Sequence, residues 1–393
     1  MLKLFRGLKP YAALIACVLV LVFVSTMTDL ELPDLMSEIV NTGIVQGDIP
    51  YILGRGGIML LVALLGTGCT ILTSYLTAKI GMGFSRDLRQ KVFTKVESFS
   101  LAEVNEFGTA SLITRTTNDI NQVQLVVIMM MRMMLSAPLM IVGALIRAVN
   151  KDIELSKVIF VVIPIIIITI IIIARFTMPM FKKMQRRIDR LNLVVRENLT
   201  GIRVIRVFNK VSQEQERFNE ASLEVSRIAT IANRLMGALM PLMMLILNLS
   251  IIAVIWFGGI RIDSGDLMVG DLMAFIQYLT QIMFSLLMLT MMFVLIPRAQ
   301  ASAVRINEVL EMDPSIVSPT HAKQPQLKGY VEFKNVSFGY EGAEEYAISN
   351  ISFSARPGEI TAIIGGTGSG KSSILNMIPR FYDAAEGLSL IHI

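Results

Sequence analysis

Apolar residues in this chain gather into six long runs, separated by polar stretches of very unequal length. A helix needs about 20 apolar residues to cross the hydrocarbon core of a bilayer. The runs lie at about Tyr11–Thr28, Ile52–Lys79, Val126–Val149, Val158–Met178, Leu239–Ile260 and Leu272–Ile296. Each is predicted to be a membrane span. The fourth contains VIFVVIPIIIITIIIIA, which no helix of a water-soluble core needs. Arg132, Arg147 and Arg175 fall near span ends, where snorkelling to the headgroups accounts for them. Pro164 and Pro241 are candidate kink points.

The polar stretches are informative too. Those at about 80–125 and 179–238 keep a helical period: Phe84, Leu88, Val92 and Val96 in one, Met184, Ile188 and Leu191 in the other. The spans are therefore expected to continue beyond the membrane, by roughly 30 Å for every 20 residues. Amphipathic helices lying on the membrane surface are the alternative. Lys3, Arg6 and Lys9 precede the first span with no acid, whereas Asp29, Glu31, Asp34, Glu38 and Asp48 follow it. Segment Lys182–Arg234 is again rich in Lys and Arg. By the positive-inside rule, the N-terminus and the two long connections are cytoplasmic.

After Ile296 the pattern changes. Arg298–Met312 still reads as a helix, and DPSIVSPTHAKQPQLKG reads as a Pro-rich linker. Then YVEFKNVSF alternates like a strand, AISNISFSARPGE gives a second strand and a Pro-Gly turn, and ITAII reads as a short buried strand. A glycine-rich loop and an apolar helix, SSILNMI, follow. The loop, GGTGSGKS at Gly365–Ser372, matches G-x-x-x-x-G-K-[ST] without a gap. Its glycines let backbone N–H groups converge on phosphate oxygens, Lys371 would reach the β- and γ-phosphates, and Ser372 would offer its hydroxyl to Mg²⁺. Tyr340, in VSFGYEG, is a candidate to stack on a base. On pattern alone, a packing role at a strand end is the better account of it.

Composition adds exclusions. Hydrophobic residues make up 53% of the 393 and charged ones only 17%, which excludes a disordered chain and argues against a soluble one. The net charge of +5 suggests no nucleic-acid partner. Cys17 and Cys69 sit in apolar runs, and His321 and His392 are too far apart to imply a metal site. Polar groups inside spans are rare: Asn248 in the fifth, and Gln277 and Gln281 four apart on one face of the sixth. They either line a substrate cavity or make interhelical hydrogen bonds.

Taken together, six spans, long helical connections, a RAxxSxxRIxEVL helix and VEFKNVSFGYEG…AISNISFSARPGEITAIIGGTGSGKSSILNMIPRFYD resemble an ABC exporter half-transporter. The resemblance covers residues 1 to about 387, is most specific at Val331–Asp383, and is nearest to bacterial multidrug and lipid exporters. LPDLMSEIVNTGI is similar to one subunit of heterodimeric multidrug exporters. It implies a mainly α membrane domain (1–312), a linker (313–327) and the N-terminal part of an α/β P-loop ATPase domain (328–387). It implies ATP and Mg²⁺ as cofactors, with ATP held by Tyr340, Gly365, Gly366, Thr367, Gly368, Ser369, Gly370, Lys371, Ser372 and Ser373, and the metal by Ser372. It also implies transverse coupling helices at about Ser100–Phe107 and Asn198–Ile205, the second reaching a partner subunit.

What the family would add is not found in these residues: no glutamine loop, no LSGGQ-type signature, no Asp-Glu at a strand end and no switch histidine. No catalytic residue is therefore assigned, and the chain is expected not to hydrolyse ATP by itself. GLSLIHI departs from the expected hairpin, so 388–393 is expected to be an artefactual tail on a truncated domain. The implied activity is ATP-driven export of amphiphilic drugs, lipids or peptides across the cytoplasmic membrane, by alternating access in a homo- or heterodimer. The alternatives are a membrane-anchored P-loop kinase or GTPase, a nucleotide-gated channel, and a nonfunctional transporter fragment.

Overall fold

The structure, a computed structural model, describes residues 1–316, 329–340 and 342–392. Most of the expected linker at 313–327, including His321, lies outside them. Hydrocarbon offers backbone amides no water, so a spanning segment satisfies them within itself. Among the described residues, six helices are long and apolar enough to cross a membrane.

Helix α1 (Leu2–Phe5) and a 3-10 turn (Arg6–Tyr11) lead into α2 (Ala12–Glu38), which ends in a π-helical turn (Ile39–Ile44). Next come α3 (Ile49–Glu97), the short α4 (Leu101–Phe107) and α5 (Thr109–Thr114), and a second π-helical turn (Arg115–Asp119) into α6 (Ile120–Lys151). Then follow α7 (Ile153–Thr200), the short α8 (Ile202–Val207), α9 (Val211–Asp263) and α10 (Val269–Glu311). The six apolar runs fall one to each long helix. Helices α3, α7 and α9 have 49, 48 and 53 residues, each about 70–80 Å long against a hydrocarbon core of about 30 Å. The polar stretches with a helical period thus continue the spans instead of forming separate surface helices. The chain runs helical through Pro164 and Pro241.

The chain divides into two compact units. One comprises Ala12–Lys79 and Ile128–Leu295. Its buried core draws Leu30 from α2, Ala148 from α6, Ile159 from α7, Met243 from α9 and Phe275 and Tyr278 from α10. Helices approach closely where side chains are missing. A Cβ on Gly143 would lie 2.3 Å from Leu30 Cδ1, and one on Gly258 2.4 Å from Leu272 Cδ1. Leu60, Leu61, Leu64 and Leu65 of α3 are exposed, as a surface facing lipid requires.

Arg147 corrects one expectation. It does not snorkel: it pairs with Glu31 at 2.5 Å and with Asp34. Lys151 binds Asp34 at 3.3 Å and Asp271 at 2.8 Å, and Asp271 accepts from Ser37 at 2.7 Å. Glu31 and Asp34 lie three apart on α2, close enough for one guanidinium to span both. Asp152 caps α7 by accepting from the Leu155 N–H at 2.7 Å and takes Arg261 Nε at 2.6 Å on its other oxygen.

The other unit comprises Met1–Tyr11, Ile80–Val127 and Ile296–Ile393. Buried Asp119 accepts from Ser302 Oγ at 2.9 Å and Arg305 Nε at 2.7 Å. Burial would raise its pKa, but the bonds from Arg305 and Ser302 outweigh it and hold the carboxyl below its ordinary value. Arg115 donates to Glu308 at 2.7 Å and to the Arg305 carbonyl at 2.6 Å. Helix α4 begins with a capping box: Ser100 Oγ accepts from the Ala102 N–H, and Glu103 accepts from the Ser100 N–H. The second Glu103 oxygen accepts from the Ser315 N–H at 3.0 Å. Glu103 therefore fastens α4 to the segment leaving α10.

The sheet in this unit has strands β1 (Tyr330–Phe338), β2 (Ile348–Ala355) and β3 (Glu386–His392), with helix α11 (Lys371–Met377) between β2 and β3. Its order is β2-β1-β3 and both pairings are antiparallel, with Phe333 opposite Phe353 and Tyr330 opposite His392. Residues set apart as a tail at 388–393 thus take part in β3 as far as His392. The first two strands and the helix fall where alternation and period place them. ITAII does not form the expected buried strand: Ile360 is 100% exposed and Ile364 93%. The stretch pairs with none of the described strands, although β2 and β3 each keep an outer edge unpaired in the sheet. Only Ile363 packs on the core of Phe333, Val336, Phe338 and Ile348.

Glu103 carries a testable consequence. Burial would raise its pKa, but the bonds from Ser100 and Ser315 hold it at about 2. A depressed folded-state pKa contributes stability that is full above the unfolded value of about 4.3 and is lost as pH falls toward about 2. Glu103→Gln is expected to cost on the order of 1–3 kcal/mol at neutral pH. Thermal unfolding should show the gap from the parent narrowing as pH drops from about 6 to about 3. A gap constant over that range contradicts this account.

Candidate nucleotide site

The glycine-rich loop is anchored at one end and open at the other. Gly370 has φ +82°, a left-handed conformation that disfavours any side chain. A Cβ there would also lie 2.3 Å from Ile348 Cγ2 and 2.8 Å from the Ala347 carbonyl. Its own carbonyl accepts from the Ile374 N–H at 3.0 Å, which starts α11. Ile374 and Met377 then bury in the sheet core. At the other end, a Cβ added to Gly366 or Gly368 meets nothing within 4 Å, so that backbone is open to a ligand.

Lys371 Nζ donates to the Gly365 carbonyl at 2.9 Å and the Gly366 carbonyl at 2.6 Å, and lies 3.3 Å from Ser369 Oγ. Its ammonium is thus held at the mouth of the loop. Thr367 and Ser372 are exposed, whereas Ser373 is buried. Ser373 Oγ lies 2.9 Å from the Tyr340 hydroxyl. The fold therefore brings Tyr340 to the loop across a separation of 33 residues. The Tyr340 ring stands edge-on to Phe338 (5.0 Å, 76°) and to Tyr382 (5.5 Å, 85°), and 43% of the residue is exposed.

Tyr382 was not singled out by sequence reasoning. Its signal was the aromatic pair in RFYD directly after α11. Burial pushes the Tyr382 hydroxyl up, whereas a hydrogen bond with Asn105 of α4 acts the other way. The first expected coupling helix, Ser100–Phe107, is therefore in contact with the nucleotide side of this unit. Across the second stretch, expected at about 198–205, α7 ends at Thr200 and the short α8 occupies Ile202–Val207, between Gly201 and the left-handed Asn209.

The donor set fits a nucleoside triphosphate. It combines an open glycine backbone, an ammonium with three donors, a free-standing hydroxyl at Ser372 for a hard cation, and a half-exposed aromatic ring. Among the described residues no group of His, Cys, Asp and Glu forms a separate metal site.

The membrane candidates do not converge. Asn248 is exposed and donates to the Met244 carbonyl of its own helix at 2.8 Å. Gln277 is exposed. Gln281 donates to the Asp29 carbonyl on α2 at 3.1 Å, the interhelical bond that was the alternative to a cavity role.

Comparison with known proteins decides the family. The model of the ABC transporter transmembrane region matches residues 15–286, and the ABC transporter model matches residues 348–392. The chain belongs to the ABC transporter family. An uncharacterized ABC transporter ATP-binding protein of Mycobacterium tuberculosis is 39% identical over 98% of this chain and 67% of its own length. One of Bacillus subtilis is 36% identical over the same shares. A fatty acid ABC transporter ATP-binding/permease protein of Mycobacterium bovis is 31% identical over 77% of this chain and 48% of its own. This ABC transporter chain is a multi-pass membrane protein with a nucleotide-binding part. Membership sets aside the kinase and GTPase alternatives.

Gly370→Ala and Lys371→Ala should fail differently. The first forces a Cβ into Ile348 and is expected to unfold the sheet region, read as new protease sites within 330–392. The second removes only contacts to the loop. It should leave the digest unchanged while lowering binding of a fluorescent ATP analogue at least about tenfold.

Proposed function

We propose that this chain is the membrane domain and first ATP-binding segment of an exporter that moves amphiphilic substrates out of the cytoplasm as a dimer. The observation that carries this reading is one chain holding both parts. Six spanning helices and a phosphate loop with Tyr340 docked on Ser373 occur together. The charge asymmetry of its loops supports a cytoplasmic N-terminus and a cytoplasmic nucleotide part in the cell membrane.

In this reading the open backbone at Gly366 and Gly368 and the Thr367 and Ser369 N–H groups receive the β- and γ-phosphates. Lys371 turns from the loop carbonyls to the anion, and Ser372 holds Mg²⁺. Tyr340 presents its ring to adenine, fixed from behind by Ser373, Phe338 and Tyr382. Bound Mg·ATP supplies the binding energy that favours closed nucleotide domains over open ones. Movement of the nucleotide part passes to α10 through Ser315, Glu103 and α4. On the other long connection, Val204, Val207 and Phe208 at α8 are 60%, 79% and 69% exposed. That apolar tip suits the nucleotide domain of a second half-transporter. The likeness to the fatty acid transporter of Mycobacterium bovis supports a lipid-like substrate, and Asn248, Gln277 and Gln281 remain candidates to meet it.

Two measurements test this. Tyr340→Ala should weaken ATP-analogue binding about tenfold, and Tyr340→Trp should restore it, since base–aromatic stacking contributes about 1–3 kcal/mol. Inverted vesicles from cells expressing the parent gene should accumulate a fluorescent fatty acid or cationic dye only with ATP, and Lys371→Ala should abolish uptake. The purified 393-residue chain should bind nucleotide weakly and hydrolyse none. Hydrolysis by it that Lys371→Ala removes would overturn that part of the reading.

A further inference from the structure

The bond between the Tyr340 hydroxyl and Ser373 Oγ, at 2.9 Å, leaves the ring free in the one way that matters for stacking. The phenol oxygen lies on the axis about which the ring turns. A bond there places the tip of the ring and leaves its plane undetermined, because that torsion is broad. The plane is fixed from the sides. Phe338 and Tyr382 both stand edge-on to the ring, at 5.0 Å and 5.5 Å. Phe338 is buried in β1 opposite Ile348, so its place is set by the sheet. Tyr382 lies outside helix and strand, in the bend after α11 that follows the left-handed Arg380.

Tyr382 therefore needs support of its own. Its ring leans on Phe338 at 5.0 Å, tilted by 39°. Its hydroxyl is hydrogen-bonded with Asn105 of α4. A bond at the tip limits the swing of the whole side chain, which is the motion that would carry Tyr382 away from Tyr340. Asn105 is well placed to hold it. Helix α4 is tied at its start by Ser100 and Glu103, and Glu103 also accepts from the Ser315 N–H at 3.0 Å. At its end, Phe107 stacks on Phe99 at 5.8 Å, with the Arg115 guanidinium 4.7 Å from its centroid. Asn105 itself is exposed and fills no space in the core, so stability does not account for its bond to Tyr382.

We propose that Asn105 is a positioning residue for nucleotide binding. Acting through Tyr382, it holds the Tyr340 ring in the plane on which a base stacks. Helix α4, part of the connection between the second and third spans, thereby sets the preference of the phosphate loop for a nucleoside triphosphate over a bare polyphosphate. The inference rests on the reading of Tyr340 as the base platform and adds to it a residue from outside the nucleotide part. Linkage makes the effect mutual: a base on Tyr340 steadies Tyr382 and, through Asn105, α4. Every base has a π-face, so the preference is for a base and not for adenine alone.

Competition against a fluorescent ATP analogue on the full chain in detergent tests this. The competitors are ATP, GTP and inorganic tripolyphosphate, each with Mg²⁺. The parent should prefer ATP and GTP to tripolyphosphate by at least about tenfold. Asn105→Ala and Tyr382→Phe should each cut that preference about threefold and leave tripolyphosphate affinity unchanged. Both remove the same bond, so together they should cost no more than either alone. In a Tyr340→Ala background neither should cost anything further. Hydrogen exchange at 101–107 should slow with ATP and not with tripolyphosphate, and Tyr382→Phe should remove the difference. A merely structural role would instead lower all three affinities alike. That result overturns the inference, as do additive losses in the double variant and equal exchange with the two ligands. A preference that Tyr340→Ala removes and Asn105→Ala keeps overturns the inference alone. A parent that binds no nucleotide, or whose preference survives Tyr340→Ala, overturns the Tyr340 reading and this inference with it.

Discussion

A peptide group in hydrocarbon has no water to bond to, and each one left unpaired costs several kcal/mol. Within the membrane that leaves this chain one solution, the unbroken helix. The consequence reaches past the bilayer. Helices α3 and α7 do not stop where their apolar runs stop, because Val92, Val96, Ile188 and Leu191 keep an apolar stripe going beyond them. A spanning helix so extended is a stiff rod with one end in lipid and the other in water. At the other end of the spans, Arg147 and Lys151 of α6 meet Glu31 and Asp34 of α2 and Asp271 of α10 as a network.

The nucleotide part obeys the same rule with a different outcome. Outside lipid, water can satisfy an unpaired backbone. The ITAII stretch can therefore remain unpaired and largely exposed beside the three-stranded sheet. The loop that follows is held from its far side. Ile374 and Met377 bury α11 in the sheet, Gly370 makes the turn that no other residue fits, and the glycines before it stay uncovered. Rigidity behind and openness in front are what phosphate binding asks of a loop.

A few polar side chains tie the helical segments of this unit together, and one of them reaches the nucleotide part. Asp119 and Arg305 fix the π-helical turn to α10, Glu103 fixes α4 to Ser315, and Asn105 reaches Tyr382 beside Tyr340. Each of these acids is buried and hydrogen-bonded, so removing one partner would strand the other.

The number of spans, their extension beyond the membrane, the first two strands and the phosphate loop were all legible in the chain. Each depends on local periodicity or on contiguous residues, and such signals survive without a fold. ITAII misled because its apolar run carries no record of whether a neighbouring strand is there to pair with it. Arg147 misled because a snorkelling side chain and an ion-paired one look alike until Glu31 and Asp34 are placed beside it. Tyr340 joined to Ser373, Tyr382 behind it, Asn105 on Tyr382 and Glu103 on Ser315 all link residues distant in sequence. Only tertiary structure decides such pairings, because the distance between two side chains is set by how their elements pack and not by where they fall along the chain.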